Sequence, residues 1–197
     1  MYYEMIIMKT MNRIRISVVA LIALCFIGSQ ATAQSKYFTK SGDITFDASG
    51  PMEDIKAENK KATFVLDAKS GAIEMALLLK AFEFDRALMQ EHFNENYVES
   101  DKYPKSTFKG KITNFSSVDL STDGSYPVKI TGELSMHGET KDVSAKGSLV
   151  VKGGKVSGTA AFKVVLADYD IEIPSVVKDK VSKTVNINVA VWLDPLP

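Results

Sequence analysis

Alternation with a period of two runs through the chain beyond residue 34 and leaves few folds open to it. In "VKITGELSM" (128–136), Val128, Ile130, Gly132, Leu134 and Met136 share one parity, and Lys129, Thr131, Glu133 and Ser135 share the other. Successive side chains of a strand point to opposite faces, so this pattern describes a strand with one face buried. "DVSAKGSLV" continues it with Val143, Ala145, Gly147 and Leu149. "KVSGTAAFKVVL" does so with Val156, Gly158, Ala160, Phe162, Val164 and Leu166, and "TVNINVAVWL" with Val185, Ile187, Val189, Val191 and Leu193. Weaker runs at 42–48, 62–66, 72–81 and 108–115 predict further strands. They place Phe46, Phe64, then Ile73, Met75, Leu77 and Leu79, then Phe108 and Ile112 inward.

Asp123-Gly124, His137-Gly138 and Gly153-Gly154 fall between alternating runs, where tight hairpins need residues that accept positive φ. Consecutive hairpins give an antiparallel meander, and clean alternation buries one face of it. One stretch breaks the period. "DRALMQEHFNEN" (85–96) spaces Leu88, Met89, His92 and Phe93 as a helix does, with Asp85 placed to cap it. About eight or more short strands and one helix predict a mainly β fold, an antiparallel barrel capped by that helix. No repeat or linker divides residues 34–197, which are expected to form one domain.

Small residues (Gly132, Ala145, Gly147, Gly158, Ala160) alternate with large ones on the inward parity. They could interdigitate into a solid core or line a hollow one. A hollow interior would be apolar and would suit a lipid. Its candidate lining is Phe46 and Phe64; Met75, Leu77 and Leu79; Leu88 and Phe93; Phe108 and Ile112; Leu134, Met136 and Leu149; and Gly158, Ala160, Phe162 and Val164.

The N-terminus has a different character. Lys9, Arg13 and Arg15 precede an uncharged run, "VVALIALCFIG" (18–28), and Ala31 and Ala33 complete an A-x-A site. That is the pattern of a secretory signal peptide, expected over 1–33. The run falls short of the ~20 apolar residues of a membrane span, so no stable membrane anchor is expected. The only cysteine, Cys25, lies within it, preceded by Leu24 and not by the small residue that lipidation requires. The remainder is slightly acidic, which offers nothing to nucleic acid or to an anionic membrane.

Chemistry has few candidates. His92 and His137 are the only histidines, and their surroundings match no metal motif such as H-E-x-x-H. They read as structural, His92 as a partly buried helix residue and His137 as a turn residue. No G-x-S-x-G elbow is present, and "KGGK" (152–155) is too short for a phosphate loop. Asp168, Asp170 and Glu172 form an acidic run without a calcium-loop pattern, and read as a solvated strand end. No catalytic residue, metal or cofactor is assigned. An enzyme built on the two histidines is the least favoured class. An interaction module with a filled core, serving a stress response or a surface contact, is the alternative to a lipid binder. Val165 and Trp192 fall on the outward parity and could contribute to a homodimer contact.

Two segments carry a resemblance. "HFNENYVESDKYPKSTFKGKI" (92–112) contains a Y-P-x-x-x-F passage out of the helix, and "GELSMHGETKDV" (132–143) contains an L-x-x-H-G-x-T-K hairpin. With "FKVVLADYDIEIP" and "KVSKTVNINVAVWL", they make the chain resemble the YceI-like family over most of residues 43–193. The resemblance implies a lipocalin-like barrel, export to the bacterial periplasm, and a pore that holds a polyisoprenoid such as a quinone. It implies binding, transport or storage without catalysis. The run before the helix departs from the family pattern and reads "FEFD" (82–85). Within 94–110, the residues after the helix read as a hinge, with Tyr103-Pro104 forced extended, Phe108 as the first inward residue of the next strand, and no shared target for the acids and lysines.

Overall fold

The computed structural model describes residues 36–196. The leader expected over 1–33 lies outside the described residues. Nine strands form in chain order: β1 (Lys36–Ser49), β2 (Lys56–Asp67), β3 (Ala72–Leu78), β4 (Glu83–Phe84), β5 (Lys105–Ile112), β6 (Gly124–Met136), β7 (Glu139–Lys152), β8 (Lys155–Val165) and β9 (Val181–Pro195). All but β4 make an antiparallel barrel ordered β1-β9-β8-β7-β6-β5-β3-β2, and β2 pairs with β1 to close it. The two-residue β4 adds to β2 at Ala57↔Phe84. Closure gives each of these eight strands a partner on both sides. The strands are long where short ones were expected: β9 has 15 residues, about 50 Å when fully extended. The barrel is correspondingly tall.

Its helix end gathers the β1–β2 loop, the passage from β3 to β5, the β6–β7 turn and the β8–β9 connection. Helix α1 (Ala87–His92) runs on into a π-helical turn, Phe93–Tyr97. Asp85 is not its cap; Arg86 holds that position, with no side-chain hydrogen bond. The strand expected over 72–81 stops at Leu78, because 79–81 turn into a 3₁₀ helix that still buries Leu79. That expected over 108–115 begins earlier, at Lys105, and stops at Ile112. Two of the three tight turns form as expected. His137 and Gly138 have φ of 53° and 84°, and Gly153 and Gly154 have 58° and 76°, the left-handed pairs that two-residue hairpins need. Asp123-Gly124 does not. Residues 113–123 form a longer loop containing a 3₁₀ turn at Phe115–Ser117, and Gly124 opens β6.

β1 and β2 each carry a bulge. Their register steps between Thr39↔Phe64 and Gly42↔Ala62, then again before Ile44↔Asn59, so 40–41 of β1 stand against one residue of β2, and 60–61 of β2 against one residue of β1. Inward parity accordingly jumps from Thr39 to Gly42 and from Asn59 to Ala62, all four buried. Each bulge is tied by the inward polar side chain before it. The Ser41 N–H donates to Thr39 Oγ1 (3.2 Å), and the Lys61 N–H donates to Asn59 Oδ1 (2.9 Å). Asn59, wholly buried, also donates from Nδ2 to the Leu78 carbonyl at 3.0 Å and so joins β2 to the end of β3.

The interior divides into two apolar clusters. One, at the helix end, centres on Phe46, Leu77, Leu79, Phe82, Leu134 and Tyr169. The other, at the far end, centres on Leu66, Ile112, Val128, Leu149, Val156 and Leu193. Phe64 and Val189 pack against both.

Candidate functional site

The two clusters do not meet as a solid core. A cavity of about 480 Å³ passes between them, from Leu88, Met89 and Val177 at the helix end to Ile112, Leu149 and Leu193 at the other. The alternation of large and small inward residues therefore makes the wall of a hollow barrel. Every candidate lining residue lies on it. β1 supplies Phe46, β2 Phe64, β3 Met75 and Leu77, and the following turn Leu79. The helical segment supplies Leu88 and Phe93, β5 Phe108 and Ile112, β6 Leu134 and Met136, and β7 Leu149. Gly158, Ala160, Phe162 and Val164 line it from β8. Leu88 is 61% exposed, so it belongs to the rim.

Two glycines make room for one ring. Gly110 and Gly132 oppose each other across β5 and β6. A Cβ on either would stand 2.5 or 2.7 Å from Phe108 Cζ, so the tip of the Phe108 ring takes space that only glycine leaves open.

Aromatic rings narrow the helix end. Phe46 of β1 stacks with Phe93 at 5.4 Å between centroids and meets Phe82 and Phe84 edge-on at 5.2 and 5.5 Å. Phe93 also reaches Phe82 at 5.7 Å and Phe84 at 5.1 Å. Such pairs contribute about 0.5–1.5 kcal/mol each beyond their buried area. Phe82 and Phe84, in the divergent "FEFD" run, were not among the residues expected in the site. Their alternation in F-E-F is the signal that could have placed both rings inward.

Charged lining residues cluster at the helix end: Glu53, Arg86 and Lys180, with exposed His92 beside them. His92 was expected to be partly buried; it is instead exposed, at the rim of the cavity. Arg86 donates to Glu53 Oε1 at 2.7 Å, tying the helix start to the β1–β2 loop. Burial, and next the Glu53 charge, push the Tyr97 phenol up. Deeper in, the lining hydroxyl of Ser106 is satisfied, since its Oγ–H donates to the Ser135 carbonyl at 3.0 Å. Ser106, 4% exposed, takes the first inward position of β5 that was expected of Phe108. A wall like this can hold an apolar chain.

The segment 94–110 does have a target. Glu99 Oε2 lies 3.2 Å from His137 Nε2, and His137 Nδ1 lies 2.8 Å from the Tyr169 carbonyl. Tyr103 packs edge-on against the imidazole at 4.7 Å. Lys102 pairs with Glu99, and Asp101 with Lys80. The Y-P passage and the H-G hairpin are thus two halves of one joint, which seats the helix exit on the β6–β7 turn and on the 3₁₀ turn Leu166–Tyr169. That turn replaces the solvated strand end expected around Asp168 and Asp170, and it buries Tyr169 and Ile171. Among the described residues, no three or more His, Cys, Asp or Glu side chains gather in a metal-binding arrangement.

The family model of the YceI-like domain matches residues 25–193. No curated protein matches the chain. Among solved structures, the barrel is similar to a polyisoprenoid binding domain from Saccharophagus degradans implicated in plant cell wall breakdown. The TM-score is 0.72 at 11% identity, covering 83% of this chain and 99% of that one. It is also similar to BcnA of Burkholderia cenocepacia (TM-score 0.63, 14% identity, 78% and 96% covered). A third similarity is to the YceI protein of Campylobacter jejuni (TM-score 0.56, 19% identity, 72% and 85% covered). At these identities the likeness is one of fold.

Proposed function

The chain belongs to the YceI-like domain family, and on that premise we propose that it binds a long apolar isoprenoid-type lipid, such as a polyprenyl quinone, inside the barrel. The observation that carries the reading is the apolar cavity of about 480 Å³ running between the two ends of the barrel. Burial contributes about 0.8 kcal/mol per methylene, so a five-carbon isoprene unit contributes about 3–4 kcal/mol. A few such units outweigh an association cost of about 4–15 kcal/mol. The Saccharophagus degradans domain of similar fold is a polyisoprenoid binding domain, which supports the same class of ligand.

The role is binding, for transport or storage, and not catalysis. Export, to the periplasm where the cell has an outer membrane, is supported by the basic flank, apolar run and A-x-A site of residues 1–33. The same cavity disfavours an interaction module with a filled core. Extraction of detergent-free protein with organic solvent, followed by mass spectrometry, is expected to release a long apolar molecule. A folded protein that yields none, and takes up none when offered all-trans-retinol, would overturn the reading.

A further inference from the structure

The barrel wall is not zipped evenly. β6 and β7 pair from Gly124↔Val151 to Met136↔Glu139, and β8 and β9 from Val156↔Leu193 to Val165↔Thr184. Between these pairs, β7 and β8 are joined only from Lys152↔Lys155 to Lys146↔Ala161. Toward the helix end, 139–145 and 162–165 run on without a ladder between them among the described residues. This seam opens on the cavity, because its inner lips are Val143 and Ala145 on one side and Phe162 and Val164 on the other, all lining residues. Ser144 and Lys163 hold the outward parity, and Val165 stands 41% exposed at the outer lip.

The 3₁₀ turn Leu166–Tyr169 packs against β7 at the top of the seam, and one polar side chain clasps it there. His137 sits in the β6–β7 turn, and its Nδ1–H donates to the carbonyl of Tyr169 in the 3₁₀ turn that follows β8. Glu99 takes the other ring nitrogen. Parting β6 from β7, or β8 from β9, would break a full ladder of hydrogen bonds, each favourable and costly to leave unmade. Parting the seam breaks no ladder bond, only side-chain contacts and the His137 clasp. At the helix end, a linear chain would have to pass end-on the rings of Phe46, Phe82, Phe84 and Phe93, which line the cavity there.

We infer that the β7–β8 seam is a lateral portal through which a linear apolar chain enters the cavity sideways, with His137 and the Tyr169 carbonyl as its clasp. The inference rests on the lipid-binding reading above. It is tested by locking the seam. In the full chain carrying Cys25→Ser, the pair Ser144→Cys and Lys163→Cys is bridged with a short bis-methanethiosulfonate, and uptake of all-trans-retinol dispersed from ethanol is followed by its fluorescence. The locked protein is expected to load at least about tenfold more slowly than the unbridged one, with the rate restored by reductant. That recovery separates a closed portal from a misfolded chain. A second pair, Glu53→Cys with Arg86→Cys, locks the helix end in the same way. Loading at the unbridged rate through the locked seam, or slowing only by the helix-end lock, would overturn the portal and leave the binding function standing. An unbridged protein that takes up no retinol and yields no lipid on extraction would overturn the binding function, and the portal with it.

Discussion

Replacing Asn59 with leucine tests whether the β2 bulge is held by one buried amide. Leucine has the same number and branching of side-chain heavy atoms as asparagine and is the bulkier, so the change leaves no cavity and removes the hydrogen bonds. Asn59 is 0% exposed and makes two of them, to the Leu78 carbonyl and from the Lys61 N–H. The variant strands both backbone groups. A buried polar group left without its partner costs about 1–3 kcal/mol, and burying a leucine side chain returns roughly 1.5–3 kcal/mol at most. Two such groups cost about 2–6 kcal/mol, so a net loss centred near ~2 kcal/mol and reaching about 4 is expected, a large share of the ~5–15 kcal/mol that holds a domain together. Guanidinium unfolding followed by far-ultraviolet circular dichroism measures it. Fluorescence is the poorer probe, since Trp192 is already 68% exposed in the fold. An unfolding midpoint equal to that of the parent, at equal slope, would refute the account of the bulge.

Three further outcomes are expected. Tyr169 is 2% exposed and its hydroxyl has no hydrogen-bond partner, so Tyr169→Phe should be neutral or stabilising by about 1 kcal/mol in thermal unfolding. Burial, then the Asp168 charge, push its phenol up to about 12. Because the folded value is raised, the parent keeps its stability below the ordinary value near 10 and loses it as pH rises toward 12, so the gap to Tyr169→Phe should widen over that window. Ala160→Phe projects a ring into the cavity from β8 and should abolish co-purifying lipid while far-ultraviolet dichroism stays unchanged; unchanged lipid content would contradict the assignment of the wall. Hydrogen bonds from Ser49 hold the Asp47 carboxyl below its usual range. The parent's advantage over Asp47→Asn should therefore be present at neutral pH and shrink as pH falls through that lowered value, read from acid unfolding curves.

Legibility of the fold followed the parity of the residues. β6 to β9 alternate without interruption, and their inward sets could be read directly from the sequence. β1 and β2 were legible only from Gly42 and Ala62 onward, because one surplus residue at 40–41, and one at 60–61, reverses the parity and cuts the pattern short. Thr39 and Asn59 were invisible for the same reason: each is a polar residue on an inward position, justified only by a bulge that propensity does not announce. Whether the wall enclosed a space could not be read at all. Interdigitating and facing side chains have the same alternation, and the difference lies in how far apart opposite walls stand once the barrel closes. The joint of Glu99, Tyr103 and His137 was legible as two motifs but not as one object, since the contact spans 38 residues of sequence.

The bulges also bear on how such a chain can change in length. Elsewhere in β1 or β2, losing one residue turns every side chain on one side of the gap over, sending Phe46 or Leu66 outward and a polar neighbour into the pore. At 40–41 or 60–61 the loss restores simple alternation and leaves the partners Thr39↔Phe64 and Ile44↔Asn59 in place. These two spots are where single-residue insertions and deletions among related barrels should collect, each straightening or bending the wall without altering the face it turns to the pore.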